Sequence, residues 1–211
     1  MILYYILVPL AWLVFHIGFR VRCEGRENLK KIGTKGCIIA PNHISAIDPV
    51  FVVITRFWGQ RMTVFAKKEL FEINAFLSWF FRCAGAVCVR GTKEEVSAID
   101  DTVKKCQEGG TLLLFPEGTR EQEGKFLPLK SGLFVIAAAA KVDVVPCRIY
   151  YDTPDGKMKL FCKVRVIFGE PMPAAQFAME GRRDIKKLRE NKQAVLDAWS
   201  CLLYTSPSPR D

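Results

Sequence analysis

Short apolar runs alternate with amphipathic helical stretches along most of this chain, and that alternation limits the fold more than any other feature. Segments 21–24, 37–40, 63–66, 86–89, 111–115, 144–150 and 159–168 have the β-branched, aromatic and small apolar residues of strands. Segment 111–115 is continuously apolar, as a strand buried on both faces must be. Between the strands lie helical candidates. Pro49 suits the first position of a helix over 50–57, with Asp48 as its cap. The aromatic-rich segment 71–81 reads as helical, and Thr92 is placed to cap a helix over 93–108. In that helix Val96, Ile99, Val103 and Cys106 keep the helical period, and Gly109-Gly110 ends it. Segment 131–141 is an Ala-rich helix, and 182–199 is amphipathic with Ile185, Leu188, Val195 and Trp199 on its buried side. Segments 25–36, with Gly33 and Gly36, and 41–47 read as loops, and Pro154-Asp155-Gly156 as a turn. Strands that alternate with helices imply a single α/β domain with a mostly parallel central sheet flanked by helices.

The chain of 211 residues is half hydrophobic, enough for one full core. Its formal charge is +9. That charge suits a generally basic soluble surface or attraction to anionic lipid, and the lack of an RNA-binding signature beside an apolar leader favours lipid over nucleic acid. The eight cysteines form no Cys-x-x-Cys pair and sit mostly in apolar runs. Such thiols act as small hydrophobes, which suits a reducing compartment and argues against a zinc site or a disulfide framework.

Residues 1–19 contain no Asp, Glu, Lys or Arg. As a helix they would reach roughly 28 Å, about the hydrocarbon thickness, although Pro9 and His16 also suit a helix lying in the interface. No basic stretch precedes the run and no small-x-small cleavage pattern follows it, so it does not read as a signal peptide. Arg20, Arg22, Arg26, Lys30 and Lys31 follow it, which places the body of the protein at the cytoplasmic face of the cell membrane. The tail 201–211, rich in Ser and Pro, reads as translated adapter sequence or as a disordered terminus. The expected organisation is a membrane-associated helix over 1–20, a single α/β domain over 21–200 and a non-native tail over 201–211.

His43 is the only histidine outside the apolar leader. An imidazole titrates at about 6.5 when unperturbed and is the ordinary carrier of protons at neutral pH. Asp48 lies five positions further on. On one helix that spacing would leave the two side chains roughly 140° apart, so they meet only if the chain between them bends. Pro49 favours a bend by disfavouring the α region at Asp48. An oriented, neutral His43 can take a proton from a substrate hydroxyl. The plainer alternatives are a helix cap for Asp48 and an inert loop histidine.

A second cluster, Phe115-Pro116-Glu117-Gly118-Thr119-Arg120, follows a buried strand and so falls at a strand's carboxyl end, where α/β sheets bind ligands. Gly118 permits close backbone approach, Arg120 offers a planar fork for phosphate, and Glu117 can accept from sugar or glycerol hydroxyls. The alternative is a tight turn with an exposed ion pair.

His43-x-x-x-x-Asp48, followed about seventy residues later by Phe-Pro-Glu-Gly-Thr-Arg, resembles the glycerolipid acyltransferase family, in particular the 1-acylglycerol-3-phosphate acyltransferases. The resemblance covers about 21–173 and includes Val144-Val145-Pro146 as a further block. It implies a fold like that of the glycerol-3-phosphate acyltransferases. It also implies that His43 deprotonates the glycerol 2-hydroxyl, which attacks an acyl thioester, while Asp48 orients His43. Glu117, Gly118, Thr119 and Arg120 would hold the acceptor, a basic residue its phosphate, and Pro146 would shape the acyl-donor side. The phosphate candidates are Arg90, in a Gly85–Arg90 block one residue shorter than the common form, and Lys67 with its neighbour Lys68. The lysines read equally well as a solvated basic face.

The resemblance implies no metal, no cofactor beyond acyl-acyl carrier protein or acyl-coenzyme A as co-substrate, and no covalent acyl-enzyme. The partners it implies are membrane lipid and one of those two donors. Another lysolipid acceptor, such as a lyso-ornithine lipid, fits the same motifs. A non-catalytic lipid-binding protein has no need of His43, Asp48 and Glu117 together, and no Gly-x-Ser-x-Gly elbow supports a serine hydrolase.

Overall fold

The computed structural model of the chain describes residues 2–56, 62–67, 72, 82, 85–89, 93–120, 125–179 and 184–204. The strands are β1 (Arg20–Glu24), β2 (Cys37–Pro41), β3 (Met62–Lys67), β4 (Ala86–Val89), β5 (Thr111–Leu113), β6 (Asp143–Asp152) and β7 (Lys163–Phe168). The helices are α1 (Ile2–Gly18), α2 (Arg26–Ile32), α3 (Asp48–Thr55), α4 (Lys93–Gln107), α5 (Gly132–Ala140) and α6 (Ile185–Tyr204), with a 3-10 turn over Ala174–Phe177. One seven-stranded sheet has the order β1-β7-β6-β2-β5-β3-β4. Neighbours are parallel except β6 and β7, which form an antiparallel pair.

The side-chain alternation of β2 shows how the layers assemble. Ile39 packs with Phe51, Val52 and Ile54 of α3, while Ile38 and Ala40 pack with Phe134 and Ala137 of α5 and Val195 and Trp199 of α6. A central strand covered on both faces has no side for polar residues, which is why 37–40 reads as an unbroken apolar run. Burying a side chain such as Phe51 or Phe134 contributes on the order of 2–3 kcal/mol. At the outer edge of the sheet, Arg165 of β7 grips Glu24 of β1 through two bonds of 2.8 and 2.9 Å.

The mostly parallel α/β architecture expected from the sequence is present, with local differences that have physical causes. Part of 25–36 is a helix, α2. It has only seven residues, too few to display a period, and it is held by long-range contacts such as Asn28 Nδ2 donating to the Phe168 carbonyl at 3.0 Å. Asp48 is not the cap of α3; it is the first helical residue, and Ile47 occupies the cap position. The bend that joins His43 to Asp48 therefore lies in the residues before Asp48. Helix α3 stops at Thr55, whose hydroxyl turns back onto the carbonyls of Phe51 and Val52. Strand β7 starts at Lys163 rather than 159, because Phe161 adopts a φ of 63°, a turn conformation. Ile185 is 70% exposed, not buried. It opens α6 and lies roughly 75° around the helix from the centre of the stripe made by Leu188, Asn191, Val195 and Trp199. Helix α6 continues through Tyr204, into the segment set apart as a tail. The helix expected over 71–81, apart from Glu72, and the cap at Thr92 fall outside the described residues.

Candidate active site

Strand β2 ends at Pro41, and the chain turns across the carboxyl edge of the sheet before α3 begins. Asn42 closes the strand. Its side-chain amide accepts from Ile149 N–H at 2.7 Å and donates to Ile149 C=O at 3.2 Å, so it acts as one further rung between β2 and β6. His43 follows, and its Nδ1 lies 3.0 Å from Asp48 Oδ2. The same oxygen accepts the backbone N–H groups of Ile44 at 2.6 Å and Ser45 at 2.7 Å. The other oxygen, Oδ1, accepts the Tyr151 hydroxyl. The two backbone N–H groups and the tyrosine hydroxyl donate, and the tautomer of His43 that carries its proton on Nδ1 completes the set. Asp48 is fully buried, so these bonds replace the water it has lost.

That arrangement fixes the imidazole. With Nδ1–H given to Asp48, Nε2 is the basic nitrogen, and it has no partner among the described residues. The ring packs on Phe115, centroids 4.2 Å apart, which limits its rotation and excludes water from one side. The side chain is 18% exposed, so a substrate atom can still reach it. Burial and the neighbouring Asp48 charge push the Tyr151 hydroxyl well above its ordinary range. Tyr151 therefore keeps its proton and remains the donor to Asp48.

Glu117 ties the second cluster to the first. Its Oε1 accepts the His43 backbone N–H at 3.0 Å and its Oε2 accepts Leu127 N–H at 3.2 Å. The residue is only 2% exposed. These two bonds hold the two loops in place. Gly118 has a φ of 68°, and a Cβ there would meet the Lys130 Nζ and its stem at 2.6–2.8 Å. The Lys130 backbone is drawn in by a 2.7 Å bond from its N–H to the Pro116 carbonyl. Sequence reasoning overlooked Lys130, although a lysine following the cluster in a Pro-Leu-Lys-Ser-Gly run was visible. Thr119 and Arg120 are exposed beside it.

Pro146 does not join the His43 cluster. Pro146 is buried within β6, paired with Ala40, on the face of the sheet that α6 covers. Lys67 ends β3, while Arg90 and Lys68 fall outside the described residues. A cavity of about 530 Å³ lies at the amino ends of β3, β4 and β5, lined by Met62, Thr63, Ala86 and Gly110, at the edge opposite His43. Tyr151 and Asn42, like Lys130, were missed by sequence reasoning. Tyr151 is separated from Asp48 by 103 positions, so no local pattern could couple them.

Residues 20–150 match the family described as Acyltransferase. The chain is 32% identical over 160 residues to the 1-acyl-sn-glycerol-3-phosphate acyltransferase of Bacillus subtilis, covering 75% of this chain and 76% of that protein. It is 36% identical over 138 residues to the Saccharomyces cerevisiae enzyme of the same name, covering 62% of this chain and 43% of that protein. The chain thus spans less than half the length of that yeast relative. The crystal structure of the 1-acyl-sn-glycerophosphate acyltransferase from Thermotoga maritima superposes with a TM-score of 0.61 at 27% identity, covering 89% of this chain and 73% of that one. A buried carboxylate that aims one imidazole at the carboxyl edge of a parallel sheet thus occurs in a chain that belongs to the glycerolipid acyltransferase family.

Proposed function

We propose that this protein moves a fatty acyl group from an acyl thioester to the 2-hydroxyl of a 1-acylglycerol-3-phosphate, giving phosphatidic acid. The observation that carries the reading is the His43–Asp48–Tyr151 chain of hydrogen bonds, which leaves Nε2 as the available base beside Glu117. Nε2 takes the hydroxyl proton as the alcohol oxygen bonds to the thioester carbonyl. The tetrahedral intermediate then expels the thiolate, and the imidazolium returns the proton to that sulfur. Asp48 stabilises the imidazolium between the two steps. No acyl group is attached to the protein at any stage. Thr119, Arg120 and Lys130 cluster by Gly118 and supply the cationic and polar contacts for the acceptor's phosphate, with Lys67 and Arg90 as further cations. Pro146 acts on the donor side through the packing beneath the site.

Helix α1 rests on the domain by one side only. Tyr4 and Val8 are buried, whereas Ile6, Leu10, Leu13, Val14 and Ile17 are more than half exposed. Among the described residues no helix is long and apolar enough to cross a membrane. A helix that leans on its own domain and displays apolar side chains on the other side suits the bilayer interface. We infer that the protein works at the cytoplasmic face of the cell membrane; the exposed apolar side of α1 supports the interfacial part of that reading.

The test is an acceptor and donor panel on vesicle-bound protein. Lysophosphatidic acid should give phosphatidic acid with acyl-acyl carrier protein or acyl-coenzyme A. The matching monoacylglycerol, which lacks the phosphate, should react about 100-fold more slowly or worse. Equal use of the two acceptors, or no product with either donor, would contradict the proposal.

A further inference from the structure

The exposed large hydrophobic side chains among the described residues fall almost entirely in two places: α1, and the pair Leu160 and Phe161 in the connection between β6 and β7. Leu160 is 65% exposed and Phe161 is 63% exposed. Solvated turns seldom display two such side chains side by side, and Phe161 does so in a left-handed backbone conformation, φ 63°, that a bulky residue normally avoids. The turn is pinned. Phe161 N–H donates to the Gly18 carbonyl at the end of α1 at 2.8 Å, Cys162 N–H to Lys159 at 3.1 Å, and Arg20 N–H to Cys162 at 3.0 Å. Leu160 Cδ1 lies 3.7 Å from where a side chain on Gly18 would begin, so the turn and the end of α1 form one surface. Ile17, 69% exposed, adjoins it.

The register of the sheet shows which way this surface faces. Strand β6 runs parallel to β2 and continues past its end to Asp152. Asp152 pairs with Lys163, and Lys163 pairs with Arg20. The row Asp152–Lys163–Arg20 therefore lies at the carboxyl edge of β2, the edge that carries His43. Tyr151, which holds Asp48, pairs with Val164, only three residues after Phe161. Exposed Lys157, Lys159 and Arg20 flank the apolar pair along the chain and in the sheet register, and outnumber the exposed Asp152 and Asp155, the latter pairing Lys159 at 3.1 Å.

We infer that the Leu160–Phe161 turn is a second membrane-insertion point, which enters an anionic bilayer alongside α1 and brings the His43 edge down onto the lipid surface. An apolar tip flanked by basic side chains matches the chemistry of that surface, acyl chains beneath anionic head groups. One helix fixes attachment but leaves the domain free to roll about its axis. A second contact at the active-site edge removes that freedom, so the glycerol hydroxyl of a lysolipid reaches His43 while its acyl chain stays in the bilayer. This inference rests on the lipid-acceptor reading above.

The experiment uses the full chain and vesicles of phosphatidylglycerol and phosphatidylethanolamine. In a Phe161→Trp protein, the emission added over the parent should shift to the blue on vesicle binding and be quenched by brominated acyl chains. If the added emission stays open to aqueous iodide on the vesicle, the inference is overturned. The Leu160→Ser/Phe161→Ser variant should process vesicle-embedded lysophosphatidic acid about tenfold more slowly while matching the parent on a short-chain acceptor below its micelle concentration. Equal rates on both acceptors for variant and parent would also overturn it. So would conversion of a parent dimer to a monomer with vesicle binding unchanged, which would assign the surface to a second copy of the chain. A parent protein inactive on both acceptors would instead defeat the acyltransferase reading and leave the quenching result to stand alone.

Discussion

The loop from Asn42 to Asp48 and the surface formed by the end of α1 with the 160–161 turn stand at the same edge of the sheet, yet they are built by opposite rules. In the loop, polar groups are buried and saturated: Asn42 completes the β2–β6 ladder, and Asp48 accepts from His43, Ile44, Ser45 and Tyr151. At the surface, apolar groups are displayed: Ile17, Leu160 and Phe161 are each more than half exposed. Chemistry needs a base held to a fraction of an ångström, and buried hydrogen bonds supply that. Lipid contact needs apolar area and tolerates imprecision. Damage to the loop should therefore appear in turnover, and damage to the surface in partitioning.

Asp48→Asn is the largest expected effect on the loop side short of removing the base. An amide keeps its oxygen toward the donors of His43, Ile44 and Ser45 and turns its NH₂ to the Tyr151 hydroxyl, which can also accept. The fold should survive, and kcat should fall about 100-fold or more because the imidazolium loses its counter-charge. Kinetics beside a melting curve will check this, and a kcat within twofold of wild type would break the comparison. Tyr151→Phe removes the hydroxyl that donates to Asp48 Oδ1 and leaves that oxygen buried. It should lower kcat roughly tenfold with KM little changed, since a lost bond to a charged group is worth about 1.5–3 kcal/mol. A change confined to KM would place Tyr151 on the substrate side instead.

On the surface side, Leu13→Ser with Ile17→Ser should release protein from vesicles in a flotation assay by about tenfold, because each exposed aliphatic chain contributes to interfacial burial. The rate on a short-chain soluble acceptor should stay at the parent value. A fall in that soluble rate would mean that α1 also supports the loop. The smallest effect concerns pH. Burial raises the thiols of Cys37 and Cys147, and raises Cys106 to about 11. A raised folded value means that the native state holds its proton more tightly. The stabilisation is complete below the ordinary value of 9.0 and is lost as pH rises through about 11. Tm should fall across that window, and less steeply in Cys106→Ala. Parallel curves for the two proteins would exclude Cys106 as a source.

What could be read from the sequence divides along the same line. Strand β2, the hairpin of β6 and β7, and the acidic partner of His43 are local features: a run of apolar residues, a turn signal, an acid a few positions from a histidine. Each has its cause within a dozen residues. The Asp48 orientation was legible only in part, because the direction of its carboxylate depends on Tyr151, which approaches from 103 positions away. Helix α2 was hidden for a similar reason: its seven residues depend on contacts with β7 rather than on propensity. Ile185 misled because helical spacing does not reveal where the covering domain stops. The exposed pair at 160–161 looked like the start of a strand until the turn at Phe161 showed that both side chains leave the sheet.

The central claim is that one imidazole, Nε2 outward and anchored by Asp48, deprotonates the acceptor. It is tested most directly by comparing phosphatidic acid formation by wild-type and His43→Ala protein on the same vesicles at saturating thioester. The account predicts a drop of about 1,000-fold in kcat with unchanged vesicle binding and an unchanged melting curve. A folded, vesicle-bound His43→Ala protein that transfers acyl groups at near the wild-type rate would contradict it.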